Sequence, residues 1–366
     1  MSDLRKMHQC NPGPWGDLRY TYIIVEPPVE FLKRDLLIPK DTKWFFKGYT
    51  RESLSEFINR SRLTPKEKKI FNSRIKWEIT DQGITVYPDR KFILEINPSA
   101  RTQLYLELGR FPENSQHYSP YIFPADMVDQ WLGGDELSLK TKALIRRLLY
   151  DRGSMKAFAD LDLVLKELST TQQRENLIKT ISRSFSLFLK LHISADTDVE
   201  AVADYWMKGG NAKDIHPLLK SLQKIGGGYD LDLVHLLPPV PRMLIYTHLT
   251  PEMNSISMGA PRDHWTSANF FANKPDDRFL QVNEFIKEIN QNYYVVSGSP
   301  AFGDIVLFLS PQGYPIHSCN YIADDIVLTK NGRGLTAPWV FMKLDDLKRL
   351  YENRSFNVLI LRRKEY

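Results

Sequence analysis

The chain has 366 residues, of which 42% are hydrophobic and 25% are charged, values typical of a soluble globular protein with two or three domains. The formal net charge is only +5, and the Lys and Arg residues are interspersed with Asp and Glu, so nucleic-acid binding is not indicated. The two cysteines, Cys10 and Cys319, lie far apart and fit neither a disulfide framework nor a zinc-ligand cluster. Composition therefore predicts no metal site and no other cofactor.

The N-terminal ten residues carry charges at Asp3, Arg5 and Lys6 and contain no apolar run, so they do not resemble a secretory signal peptide. No window approaches the ~20 apolar residues that a membrane-spanning helix needs. As written, the sequence predicts a cytoplasmic protein without a transmembrane segment. Export is the alternative if a leader has been removed, and the oligomeric state stays open.

Residues 1–115 predict a small α+β domain. The run from Tyr20 to Val25 predicts a buried strand. Thr64 to Glu67 combines an N-cap, a proline at the first helical position and a capping-box acid. Three more strands are predicted at residues 75–79, 84–87 and 92–96.

Residues 116–245 predict a helical domain, because the apolar period becomes helical after Pro124. Thr170 and Gln173 predict the start of a long helix. Its apolar face is predicted to contain Leu177, Ile181, Phe185 and Phe188. The proline-rich segment 238–241 then predicts a boundary before a third domain, residues 246–366.

Two motifs in the last third carry most of the predicted chemistry. Asp263 is predicted to cap a helix whose apolar face needs a sheet to cover it. An apolar strand follows Gly303-Asp304, and another strand begins at His317. A helix start that faces a His-bearing antiparallel sheet is typical of cysteine hydrolases, because the helix end lowers the thiol pKa and the imidazole takes its proton.

These motifs resemble the NlpC-type branch of the papain-like peptidases and amidases over about residues 250 to 366. The Gly303–Leu309 strand matches the family's Gly-Asp-hydrophobic strand, and the strand from His317 to Asp324 matches its His-led strand. The resemblance implies a helix-plus-antiparallel-sheet domain and a peptide or peptidoglycan-like ligand. Where the family has its nucleophilic Cys, this chain has Asp263 if Trp265 anchors the alignment, or His264 if the acidic residue does.

Several further residues are candidates for the same cleft. By resemblance, the third polar residue, which orients the His, is one of Thr329, Lys330 and Asn331; Lys330-Asn331-Gly332 is equally typical of a turn. Cys319 and Ser267 are secondary candidates. Cys319 lies ~7 Å along the strand from His317 and is expected to be a small buried hydrophobe. Ser267 lies one turn into the predicted helix, so it could take the nucleophile's position only if the helix began later.

The predicted architecture is α+β with three domains, and two classes of function remain open. In the first, the chain is a catalytically degenerate NlpC-like homologue, a pseudoenzyme that binds a peptide, glycan or protein. In the second, it is an active amide-bond hydrolase that uses His317 with an unorthodox partner. A metal held by Asp263, His264 and His317 would need three correctly aimed ligands and is not predicted.

Overall fold

The computed structural model describes Leu4, 6–28, Glu30, 37–209, 213–250, Met253, 262–332, 336–352 and 355–365. The chain is α+β and divides into two compact units, of which unit 1 contains 1–31 and 183–366 and unit 2 contains 32–182. Among the described helices, none is both long enough and apolar enough to cross a membrane.

Strands and helices occur throughout the described ranges of the chain. The strands are β1 His8–Gln9, β2 Asp17–Val25, β3 Trp44–Lys47, β4 Lys76–Thr80, β5 Gly83–Tyr87, β6 Tyr121–Pro124, β7 Tyr150–Arg152, β8 Met155–Phe158, β9 Ser184–Ile193, β10 Tyr229–Asp232, β11 Tyr293–Val295, β12 Ile305–Leu309, β13 Pro315–Ala323, β14 Ile326–Lys330, β15 Trp339–Lys343 and β16 Asn357–Arg363. The helices are α1 Arg51–Arg60, α2 Pro65–Ser73, α3 Arg90–Glu95, α4 Pro98–Leu108, α5 Ser115–Tyr118, α6 Val128–Trp131, α7 Leu139–Leu148, α8 Leu161–Lys166, α9 Thr171–Ile181, α10 Val199–Trp206, α11 Ile215–Ile225, α12 Pro239–Leu244, α13 Asp263–Ala268, α14 Val282–Asn292 and α15 Leu344–Tyr351.

Unit 1 contains a four-stranded antiparallel sheet in the order β1-β2-β9-β10. Its central pair joins β2 to β9 from Asp17 opposite His192 to Val25 opposite Ser184. Because this ladder ties residues 17–25 to residues 184–193, the division of the chain differs from the boundaries predicted after residues 115 and 245. Strands β1 and β2 therefore belong to the same unit as residues 183–366.

A six-stranded antiparallel sheet in the order β11-β16-β12-β13-β14-β15 forms the other half of unit 1. Alternate residues of β12 enter two different apolar clusters, as the two-residue strand period requires. Ile305 and Leu307 belong to a large cluster that includes Trp265 of α13 and Phe285 of α14. On the other face, Val306 and Phe308 belong to a small cluster that includes Leu347 of α15. The sheet is therefore covered on both faces.

Unit 2 contains two three-stranded sheets, β3-β5-β4 and β6-β8-β7, among short helices. The Thr64 capping box is present, since its hydroxyl accepts from the backbone N–H of Glu67 while that carboxylate accepts from the backbone N–H of Thr64. The predicted strand at residues 92–96 is wrong, because this segment is helix α3. Asp89 caps α3 by accepting from the Phe92 backbone N–H at 2.7 Å.

The prediction that residues 116–245 are helical is wrong in part, since this stretch contains β6 to β10. Thr170 and Gln173 do form a capping box, but α9 ends at Ile181. Phe185 and Phe188 lie instead in β9, which pairs with β2. The spacing of these apolar residues fits a helix, but the alternating burial from Leu187 to Ile193 is that of a strand.

A buried polar cluster lies between α4 and α8 in unit 2. The Tyr105 hydroxyl lies 2.8 and 2.9 Å from the two carboxylate oxygens of Asp160. Nη1 of Arg101 lies 3.5 Å from the same carboxyl group. Burial raises the pKa of Asp160 to about 6, although the charge of Arg101 and the hydrogen bond from Tyr105 act in the opposite direction.

This elevated pKa makes the stability of unit 2 depend on pH. Between about pH 4 and pH 6 the folded chain holds a proton on Asp160 that the unfolded chain releases, so the contribution of Asp160 to the free energy of unfolding falls as the pH rises. From a shift of about two pKa units, we expect a loss of about 2–3 kcal/mol across this range. Urea unfolding at each pH gives the free energy of unfolding of the wild type minus that of Asp160→Asn. If this value stays constant or grows as the pH rises, the prediction is contradicted.

Candidate functional site

Helix α13 positions Asp263 beside strand β13. The helix begins at Asp263, and its N-cap residue is Arg262, which makes no side-chain cap hydrogen bond. The prediction that Asp263 caps the helix is therefore wrong by one residue. The side-chain amide of Asn320, on β13, donates to the backbone carbonyl of Ser267 at 3.3 Å. This contact packs α13 against β13.

A chain of hydrogen bonds leads inward from Asp263. Oδ2 of Asp263 lies 2.8 Å from Nδ1 of His317. Nε2 of the same ring lies 2.9 Å from Oγ1 of Thr329, and the Thr329 hydroxyl donates to Oδ1 of Asn331 at 3.0 Å. His317 and Thr329 are each 1% exposed, whereas the side chain of Asp263 is 18% exposed. Both ends of the chain, Asp263 and Asn331, are thus partly exposed, and its two middle members are buried.

Both ring nitrogens of His317 are engaged within this chain of contacts. Nδ1 lies against the Asp263 carboxylate, and Nε2 lies against the Thr329 hydroxyl, which itself donates to Asn331. Neither nitrogen is left free to take a proton from a further nucleophile.

Asp263 is held as a carboxylate. Burial acts to raise its pKa, but the hydrogen bond from His317 and the positive charges of His317 and His264 outweigh burial. The pKa of Asp263 is therefore well below its usual value. A carboxylate of such low basicity is a poor general base and a weak nucleophile towards an amide.

His264, the alternative candidate for the nucleophile's position, does not contact His317 by any described hydrogen bond. Its Nδ1 lies 2.8 Å from Oγ of Ser318, and its ring stacks on Phe285 with a centroid separation of 4.6 Å. Burial lowers the pKa of His264, and the charge of His317 adds to this effect while that of Asp263 opposes it. Asp263, not His264, therefore stands opposite His317.

Lys330 lies on the other face of β14 from Thr329, because side chains alternate along a strand. Its Nζ donates to the Ala337 carbonyl at 2.6 Å and lies 4.9 Å from the centre of the Trp339 ring. Burial lowers the pKa of Lys330 to about 8, and the charge of Asp263 partly opposes this effect. Among the three candidates for the third polar residue, only Thr329 contacts His317 in the described hydrogen bonds.

His248 belongs to the same part of unit 1 and was not a candidate in the sequence analysis. Thr247, just before it, accepts from the backbone N–H of Trp339 at 3.0 Å. His248 is 7% exposed, and its Nε2 has no hydrogen-bond partner in the part of the chain that the structure describes. Burial and the charge of Lys330 lower the pKa of His248 to about 4. An isolated His in a Pro-rich, polar segment carries no pattern that could have identified it.

The two secondary candidates, Cys319 and Ser267, are buried and make no described hydrogen bond to His317. Sγ of Cys319 lies 3.7 Å from the Val306 carbonyl, and this residue is 1% exposed. Burial raises the pKa of the Cys319 thiol well above its usual value, and the negative charge of Asp263 acts in the same direction. The Ser267 hydroxyl is also buried and has no hydrogen-bond partner among the described residues.

The structure therefore brings together Asp263, His317, Thr329 and Asn331. It directs His264, Lys330, Cys319 and Ser267 to other partners or into the core. No group of three His, Cys, Asp or Glu side chains in the described ranges is placed to hold a metal ion. In comparisons with known proteins, no family model, no curated protein and no solved structure matches this chain.

Replacing Asp263 by Asn should destabilise unit 1 in a pH-dependent way. The folded-state pKa is depressed, so the stabilisation by the ionised carboxylate is present above the unfolded-state pKa of about 4 and is lost as the pH falls below it. At pH 7 we expect a loss of about 3 kcal/mol, because the buried imidazole loses its hydrogen bond to a charged acceptor. Urea unfolding at pH 7 and pH 3 measures the difference. Asp345→Asn is the matched control, since Asp345 is 74% exposed; an equal effect of the two variants at pH 7 would contradict the prediction.

Proposed function

We propose that the C-terminal part of unit 1 is a papain-like, NlpC-type domain that has lost the thiol mechanism and acts as a binding module for a peptide, glycan or protein. The observation that carries this proposal is the 2.8 Å contact between Oδ2 of Asp263 and Nδ1 of His317. A carboxylate thus occupies the place opposite the imidazole in which the family has its sulfur atom.

The arrangement of elements supports the papain-like interpretation. Helix α13 begins at the candidate position and packs on β13, and β13 pairs with β12 so that His317 lies opposite Phe308. A polar side chain, Thr329, contacts the far side of the imidazole. Helix start, His-bearing strand and orienting polar residue therefore occur in the order that the resemblance implies.

The chemistry of the four grouped residues supports loss of catalysis. Asp263 is a carboxylate of depressed pKa, and both ring nitrogens of His317 are engaged, one by Asp263 and one by Thr329. Cys319, the nearer of the two thiols in sequence, is buried and its thiol pKa is raised. A nucleophile and a base able to activate it are the minimum for covalent amide hydrolysis, and this group supplies neither.

A thiol introduced at Asp263 tests the geometry directly. In Asp263→Cys, the imidazole of His317 should stabilise the thiolate, so the pKa of the new thiol should fall below the unperturbed ~8.5. We expect iodoacetamide at pH 7 to alkylate Cys at position 263 faster than Cys10 or Cys319, and His317→Ala to slow this reaction. Peptide mass spectrometry gives the rate at each site.

His264→Cys is the matched control, because the side chain at this position faces Ser318. Its thiol should react at a rate that His317→Ala leaves unchanged. If the thiol at position 263 shows no dependence on His317 in a folded protein, then Asp263 and His317 do not share one cleft and the papain-like proposal fails.

The wild-type chain should contain no activated thiol. Both cysteines are buried, and burial raises the pKa of Cys10 to about 12. We therefore expect neither cysteine to be labelled by iodoacetamide at neutral pH under native conditions, whereas both react after unfolding. Labelling of Cys319 that His317→Ala abolishes, or His317-dependent hydrolysis of a peptidoglycan-derived peptide, would instead identify an active hydrolase.

A further inference from the structure

A small cationic pocket lies in unit 1 near the start of β12. Its cavity volume is about 10 Å³, room for about one water molecule, and it opens to solvent; its lining includes Lys208, Phe271, Asp304 and Arg362. Asp304 precedes Phe308 by four residues of extended chain, and Phe308 is the strand partner of His317. At ~3.3 Å per residue, the pocket is about 13 Å from the Asp263–His317 pair, so it is a separate site.

Two glycines shape the aromatic wall of this pocket. Gly209 and Gly303 both have positive φ, at 83°. A Cβ atom added to Gly209 would lie 2.0 Å from Cδ1 of Phe271, and one added to Gly303 would lie 2.0 Å from Cζ of the same ring. The Phe271 ring therefore occupies the space of two absent side chains, which fixes it as one wall of the pocket.

The carboxylate in the pocket is already neutralised. Arg362 donates to both oxygens of Asp304, at 2.9 and 2.7 Å, and Asp304 is only 4% exposed. The backbone N–H of Ala301 also donates to Asp304 at 2.8 Å. Such a bidentate pair fixes the position of the guanidinium group and leaves the carboxylate little capacity for a second cation.

Lys208 is a cation of this pocket with which Asp304 forms no described ion pair. In the described ranges of the chain, its ammonium group has no hydrogen-bond or ion-pair partner. Burial lowers the pKa of Lys208, and repulsion by Arg362 lowers it further, while Asp304 partly opposes both effects. A partly buried ammonium beside a guanidinium is electrostatically unfavourable unless a negative charge lies between or near them.

We propose that this pocket binds one oxygen of a small anionic group, a carboxylate or a phosphate, with Lys208 as its direct contact and the rest of the ligand at the open mouth. The anion supplies the negative charge that Lys208 lacks, and Arg362 adds a second positive charge at the rim without leaving Asp304. This site is independent of whether the Asp263–His317 cleft ever catalysed a reaction.

Protection from chemical modification tests the site in the folded wild-type chain. Reductive methylation with formaldehyde and a borane is followed at each lysine by mass spectrometry, with phosphate, acetate or chloride at equal ionic strength. We expect phosphate or acetate to slow methylation of Lys208 several-fold relative to chloride, and to leave exposed Lys224 of α11 unchanged. Protection by phosphate alone assigns a phosphate ligand, and protection by acetate alone assigns a carboxylate.

The variant Lys208→Met provides the second measurement, with Lys224→Met as its matched control. We expect the thermal midpoint of the wild type and of Lys224→Met to rise with the protecting anion, and that of Lys208→Met to lose this rise. Without the anion, Lys208→Met should unfold at a midpoint no lower than the wild type, because a repulsive charge has been removed. Equal protection of Lys208 and Lys224, or an undiminished anion response in Lys208→Met, would overturn the proposal.

Discussion

The hydrogen-bonded pair of Asp263 and His317 connects the first residue of α13 to β13. Because His317 is 1% exposed, the imidazole cannot compensate for a lost carboxylate by turning to water. The ionised state of Asp263 follows from this pair, and Thr329 contacts the other nitrogen of the same ring.

Local signals in the sequence predicted individual helices better than they predicted which distant segments pair. A capping box such as that of Thr64 is a local signal, so its helix was predicted correctly. Phe185 and Phe188 were assigned to a helix because their spacing fits one, and the strand they belong to is stabilised by β2, from the far end of the sequence. A pairing between distant segments leaves no local trace, and tertiary contacts override propensity.

The same distinction applies to the candidate site. The order of the motifs and the starts of the strands are visible in the sequence. They were enough to identify Asp263, His317 and Thr329 as candidates. What could not be predicted was the choice between Asp263 and His264, which depends on which side chain the first turn of α13 directs at β13. The burial of His248 depends on a backbone pairing of Thr247 with Trp339, across a long separation in sequence. Neighbouring residues thus differ in role because the fold, not their chemistry, selects one of them.

The pairing of Val25 with Ser184 has a consequence for how this protein folds. All of unit 2 lies between these two residues in the chain, yet unit 1 brings them side by side at the end of the β2–β9 ladder. During synthesis the edge of β2 that faces β9 must therefore stay unpaired until β9 has been made. Closing so long a loop is entropically slow, and a folded unit 2 would shorten the disordered chain that has to be closed. Connectivity thus lets unit 2 fold before unit 1 can be completed, because residues 183–366 of unit 1 are made last.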